Sequence, residues 1–288
     1  MPTARPAGAL DSRASPFALV RPMHLLDALA PLLTTRRFGR VARGFETVGS
    51  TNAEAAAWAA DGAPEGALVV AEYQSAGRGR LGRTWAAAAG VNLTQSLVLR
   101  PRLDAARLGL LPLAAGLAVA DAVERVAGVP AQVKWPNDLL LGGKKAGGLL
   151  AEAVHGAEAP VVVLGIGLNV NQQAFPPELA EKATSVALEA GRPVERAALL
   201  AALLAALERR YDALAAGDGS ALLAAFERRM HGLGQPVAVR YPGTARAPLG
   251  GVVLGVAPDG ALRLETLDGE RRLYAGEVTL APPVPATP

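Results

Sequence analysis

Three arginines, Arg78, Arg80 and Arg83, fall within six residues of a glycine-punctuated run, GRGRLGRTW, at 77–85. Glycine lets backbone approach a ligand closely and offers amides to oxyanions, and arginine presents a planar fork to carboxylate or phosphate. The pairing suits a loop that closes over an anion. It is not the dinucleotide fingerprint, whose glycines open a helix, nor a Walker loop, because no Gly-Lys-Ser/Thr follows. Taken alone, the run also suits a solvated loop or an RNA-binding tract.

Lysine is scarce. Only four of the 29 basic residues are lysine, and Lys134, Lys144 and Lys145 lie within one short segment. Lys134-Trp135-Pro136-Asn137-Asp138 puts amide and carboxylate groups where a strand ends, although Pro-Asn-Asp is also ordinary turn chemistry. Lys145 leads into Ala146-Gly147-Gly148 and an apolar strand, so it reads as a point charge on a pocket wall, with Lys144 left to solvent. Asn169 and Asn171 close the apolar strand at 161–170. Buried asparagine needs hydrogen-bonding work, and closing a strand-to-loop turn would supply it.

Composition limits what such groups serve. With 288 residues, 51% hydrophobic and 19% charged, the chain is globular. A net charge of +3 is no footprint of a dedicated nucleic-acid binder, and 4% aromatic residues is poor in stacking platforms. No cysteine is present and the three histidines are scattered, which excludes thiolate chemistry and a local zinc motif. The longest apolar run, 108–120, is broken by Gly109, Pro112 and Gly116 and falls short of the roughly 20 residues of a membrane span.

The elements that must position these groups are a mixed set. Strands are expected over 43–48, 67–73, 90–99, 132–135, 139–141, 148–154 and 161–170, and helices over 105–126, 177–190, 194–215 and 220–230. Thr51 with Glu54 reads as a capping box for a helix after residue 50. Past Gly232 come short strands over 237–241, 251–256, 261–266 and 271–274 with Pro-Asp-Gly and Asp-Gly turns, the grammar of a small barrel. The fold class is α/β of the α+β type. A poorly ordered extension (1–40) precedes a helix-packed, mixed-sheet domain (41–232), and a β module (233–288) follows.

In this order the segments STN (50–52), GRGRLGR (77–83), KWPNDLL (134–140), KAGGLLAE (145–152) and GIGLNVN (165–171) resemble the biotin protein ligase family. GALRLETLDGERRLYAGEV, near the C-terminus, is similar to that family's SH3-like module. The resemblance implies an ATP-dependent ligase that forms biotinyl-5′-AMP and transfers biotin to a lysine of a biotin carboxyl carrier protein, typically that of acetyl-CoA carboxylase. It implies biotin contacts at Ser50, Thr51, Asn52, Gln74, Gly77, Arg78, Gly79, Arg80, Lys145 and Gly148. The adenylate side would hold Arg80, Arg83, Trp85, Asn137, Lys145 and Asn169, with Mg2+ accompanying ATP through ligands not assigned. Arg78, Arg80 and Lys145 would serve catalysis, and Asp138 would orient or deprotonate the carrier lysine. About 40 residues ahead of that domain are too few for the winged helix of the family's repressors, so no specific nucleic acid is expected. The further expectations are a cytoplasmic enzyme, no membrane contact and a possible homodimer. A lipoate ligase or octanoyltransferase is the nearest alternative, opposed by the GRGRLGR loop and the β module.

Overall fold

Residues 24–40, expected as part of a poorly ordered extension, are seated on the core. The computed structural model describes residues 24–154 and 160–281, so residues 1–23 of that expectation lie outside them. Helix α1 (His24–Leu29) and a 3-10 turn bury Leu25 and Leu29, and Phe38 follows with no exposed surface. A buried carboxylate explains the attachment. Glu208 accepts the backbone amides of Arg36 (2.8 Å), Arg37 (2.8 Å) and Phe38 (3.1 Å), and Arg37 Nε stands 3.7 Å away. Burial alone would raise the Glu208 pKa, but the three amides and the guanidinium outweigh it and hold the carboxyl below its usual range.

The larger unit continues with β1 (Ala42–Val48), α2 (Thr51–Ala60), β2 (Leu68–Gln74), β3 (Leu93–Leu99), α3 (Leu110–Ala127), β4 (Ala131–Lys134), β5 (Asp138–Leu141), β6 (Lys144–Val154) and β7 (Val161–Leu168). Helices α4 (Val186–Ala190), α5 (Arg196–Ala215) and α6 (Gly219–Arg228) complete it. The seven strands form one sheet in the order β1-β2-β3-β7-β6-β5-β4, with β1 and β2 parallel and the other pairs antiparallel. One face packs on α3 and α5 through Leu93, Leu97, Leu149 and Ile166; the other meets α2 through Val69, Ala71, Val98 and Val163. The span 105–127 is long and apolar enough to cross a membrane, yet it is mostly buried inside the fold, as the core helix of a soluble domain is.

The second unit is an antiparallel sheet of β8 (Pro236–Arg240), β9 (Leu249–Val256), β10 (Leu262–Thr266), β11 (Gly269–Leu273) and β12 (Glu277–Leu280), ordered β11-β10-β9-β8-β12. It docks where Trp135 Nε1 donates to the Gly260 carbonyl (3.0 Å) and where a Cβ on Gly109 would stand 2.7 Å from the Asp259 carbonyl.

Several expectations need correction. The helix expected over 105–126 opens as a 3-10 turn and runs on as α3 from Leu110; Gly109 between them keeps helical φ/ψ (−60°, −17°), and its missing side chain admits the Asp259 loop. The helix expected over 177–190 exists only as α4, with turns before it. The capping box does not form: Ser50 is the N-cap without a side-chain cap bond, and Gln74 Oε1 accepts the Thr51 amide instead (2.7 Å). The β module has a fifth strand, β12, beyond the four expected.

Glu208→Gln should cost about 1.5–3 kcal/mol at neutral pH, the range for hydrogen bonds to a charged group. A lowered pKa means stability present above the unfolded carboxyl's value and lost as pH falls through the folded one. Thermal unfolding should therefore separate the two proteins at pH 7 and bring them together in acid.

Candidate active site

The site begins with missing side chains. In the sheet register Thr94, Gly167, Gly148 and Asp138 form one row across β3, β7, β6 and β5, and Ser96, Gly165 and Leu150 form the next. Ser96 Oγ bonds Asn52 Oδ1 (2.6 Å) and Thr51 Oγ1 (2.8 Å), so these rows face α2. A Cβ on Gly165 would overlap the Asn52 amide, and one on Gly167 would overlap the Trp85 ring. The glycines thus leave a floor of bare backbone on which Asn52 and the Trp85 ring rest, and a cavity of about 200 Å3 opens beside them.

The Arg/Gly run is a formed hairpin over that floor. Gly79 N donates to Arg83 O (2.7 Å) and Trp85 N to Gly77 O (2.9 Å). Each arginine reaches a different element. Arg78 Nη2 meets Glu152 on β6 (3.0 Å), Arg80 Nη1 meets Asn137 Oδ1 (3.1 Å), and Arg83 pairs with Glu277 on β12. Gly276, Glu277, Val278 and Thr279 line the cavity, so the β module supplies a wall.

A bulge aims the lysine. Leu140 pairs with Lys145 but Leu139 pairs with Gly147, leaving Ala146 as the extra residue. Residues three apart on a regular strand face opposite sides; the bulge puts Lys145 on the side of Gly148, where Nζ bonds Asp138 Oδ1 at 2.6 Å. Lys144 stays exposed beside the Gly142-Gly143 turn, whose residues take positive φ.

Cations outnumber acids here. Arg78, Arg80, Arg83, Lys134 and Lys145 border the cavity with only Asp138 and Glu277 among the acids. Burial, with Lys145 and Arg83 adding to it, lowers the Lys134 pKa against the pull of Asp138. Burial, with Arg83 adding to it, also lowers the Arg80 pKa against Asp138. Such a site is poised for an anion, which would relieve both. The Trp85 Nε1 donor and both amide atoms of Gln95, which also borders the cavity, are buried without a hydrogen-bond partner among the described residues.

Every expected site residue borders the cavity except Gly77 and Asn169. A Cβ on Gly77 would overlap the Trp85 carbonyl and come within 3.2 Å of Gln74 Nε2, so this glycine allows the hairpin neck to close. Asn169, buried, donates to the Thr184 carbonyl (3.1 Å), and Asn171 clamps the backbone of Val194: both close turns. Asn52 borders the cavity but spends its donors on Glu152 (2.7 Å) and the Leu150 carbonyl (3.3 Å). The sequence reading missed Gln95, Ser96, Glu152 and Glu277. Polar residues inside the apolar strand LTQSLVL were the available signal for the first two; nothing local marked the acids.

The Biotin/lipoate A/B protein ligase family matches residues 44–169, and the biotin protein ligase C-terminal domain matches residues 232–280. The bifunctional ligase/repressor BirA of Bacillus spizizenii is 36% identical, covering 82% of this chain and 72% of that protein. The biotin--[acetyl-CoA-carboxylase] ligase of Mycobacterium tuberculosis is 40% identical, over 73% of this chain and 76% of its own. Among solved structures, the biotin protein ligase of Aquifex aeolicus in complex with biotin and ATP superposes with a TM-score of 0.73 at 28% identity, covering 84% of this chain and 99% of that one.

Proposed function

This chain belongs to the biotin/lipoate A/B protein ligase family, and we propose that it condenses biotin with ATP to biotinyl-5′-adenylate and pyrophosphate, then passes biotin to a lysine of the biotin carboxyl carrier of acetyl-CoA carboxylase. The distribution of polar groups along the cavity carries this reading. Ser50 Oγ and Gln74 Nε2, neutral and without hydrogen-bond partners among the described residues, stand at the β2 end, while Lys134, Lys145 and Arg80 gather at the β4–β5 end. Strands β3, β7 and β6 lie between, a span of roughly 15–20 Å at about 4.8 Å per strand. That suits a long ligand with a neutral hydrogen-bonding head and a carboxylate tail beside phosphates.

In the first step a biotin carboxylate oxygen bonds to the α-phosphorus as the bond to the departing pyrophosphate oxygen breaks. The carboxylate is ionised near neutral pH, so no protein base is needed; alignment and charge neutralisation suffice. Lys145 would hold the carboxylate and α-phosphate oxygens, while Arg80, Arg83 and Lys134 take up charge on the pyrophosphate. In the second step the carrier amine bonds to the acyl carbon and AMP leaves. Asp138, partner of Lys145 at 2.6 Å, is the carboxylate that would orient that amine and receive its proton.

Magnesium neutralises phosphate charge when it arrives with a nucleotide, held mainly by phosphate oxygens and one or two carboxylates. Asp138 fits that modest demand, and no group of three or more His, Asp or Glu that could hold a metal occurs among the described residues. We also read the enzyme as cytoplasmic and without operator binding.

Biotin-dependent exchange of labelled pyrophosphate into ATP by the purified protein tests the reading, with lipoate and octanoate as controls. Exchange with biotin alone is expected; exchange only with another acid would move the substrate and overturn it. Lys145→Arg should lower exchange at least a hundredfold despite keeping the charge, because a planar fork replaces a compact ammonium beside Trp85 and Gly148. Near-normal exchange by that variant would remove Lys145 from the role.

A further inference from the structure

The hairpin at 77–85 is fastened at three points, and one of them lies outside the cavity. Glu152 does not border the cavity, yet its Oε2 accepts both Arg78 Nη2 (3.0 Å) and Asn52 Nδ2 (2.7 Å). Asn52 is itself immobilised: 5% exposed, with Oδ1 taken by Ser96 and its second hydrogen directed at the Leu150 carbonyl. Ser96 Oγ also stands 2.8 Å from Thr51 Oγ1, which stands 3.0 Å from Gln74 Oε1, and the two hydroxyl hydrogens fill two of the three contacts these hydroxyls make. The Glu152 carboxylate thus joins Asn52, at the edge of the floor, to the first arginine of the lid.

We propose that Glu152 is a positioning residue that holds the Arg78 side of the hairpin down on β6 and so slows escape of the activated acyl-adenylate. The part about the adenylate rests on the reading above. An exposed ion pair usually contributes little, because two long side chains must be ordered to make it. Here Asn52 has already fixed the carboxylate, so only Arg78 has to be ordered. The other two fastenings act elsewhere: Arg80 is held by an uncharged amide and Arg83 by the β module. Glu152 is therefore the one charged anchor between the lid and the main sheet among the described residues. It touches neither the floor nor the cationic end, which separates lid closure from the chemistry of the phosphates.

Hydrogen exchange of the full chain, read by mass spectrometry without any ligand, tests the anchor directly. Glu152→Gln keeps an acceptor for Asn52 and removes the charge that binds Arg78. Peptides covering 77–85 should exchange about fivefold faster in this variant, the scale of one modest ion pair, while α3 peptides stay unchanged. Arg78→Gln should open the hairpin equally without altering β6, and the double variant should open it no further than either single one. Unchanged exchange at 77–85 in either single variant, or additive opening in the double, would overturn the anchor. With the intact enzyme, adenylate formed in place should dissociate about fivefold faster from Glu152→Gln than from the parent; an equal rate would overturn the retention role. Because the exchange measurement needs neither biotin nor ATP, a failed ligase reading and a failed anchor give different results.

Discussion

Backbone left bare at Gly148, Gly165 and Gly167 is the constraint on which the site depends. Protein interiors are packed to crystal-like density, so a ligand bed on a sheet face exists only where side chains are withheld. Here they are withheld in register across β6 and β7, and the space is already bounded by Trp85 above Gly167 and Asn52 against Gly165. Everything else in the site is arranged around that floor. The start of α2 supplies its neutral end, the hairpin its lid, and the Asp138–Lys145 pair its charged end.

The charged end is costly to build and is tolerated because the cavity is where an anion belongs. Lys134 and Arg80 both lose affinity for their protons through burial, with neighbouring cations adding to the loss. A fold selected for stability alone would pair or expose them; this one leaves Lys134 without an ion-pair partner among the described residues. The β module completes the enclosure through β12, and its buried face is continuous with the main core, with Trp135, Gly109 and Glu227 fastening it to the larger unit.

Much of this was legible in the chain because rarity carries information. Lysines confined to one segment, and arginines alternating with glycines, marked the charged end and the lid. Strand periodicity and turn residues marked most elements. What could not be read depended on distant partners. The capping-box pattern at Thr51 and Glu54 lost to Gln74, a residue on another strand. Residues 24–40 were taken for a tail because their anchor, Glu208, lies far along the chain. Asn169 closes a turn, as its place at a strand end suggested; the family resemblance had set it at the adenylate, and its partner is the Thr184 carbonyl. The bulge that turns Lys145 inward leaves no local signature, and Glu152 gained its place only when the hairpin and β6 met.

The bare floor as the bed for biotin is the claim most directly open to measurement, through calorimetric titration of biotin into Gly167→Ala. The glycine has an ordinary φ, so alanine adds no backbone strain; its methyl group only displaces Trp85 from the floor. The account predicts at least a tenfold loss of biotin affinity with the unfolding midpoint nearly unchanged. Undiminished binding by the folded variant would contradict it, and would place the ligand elsewhere.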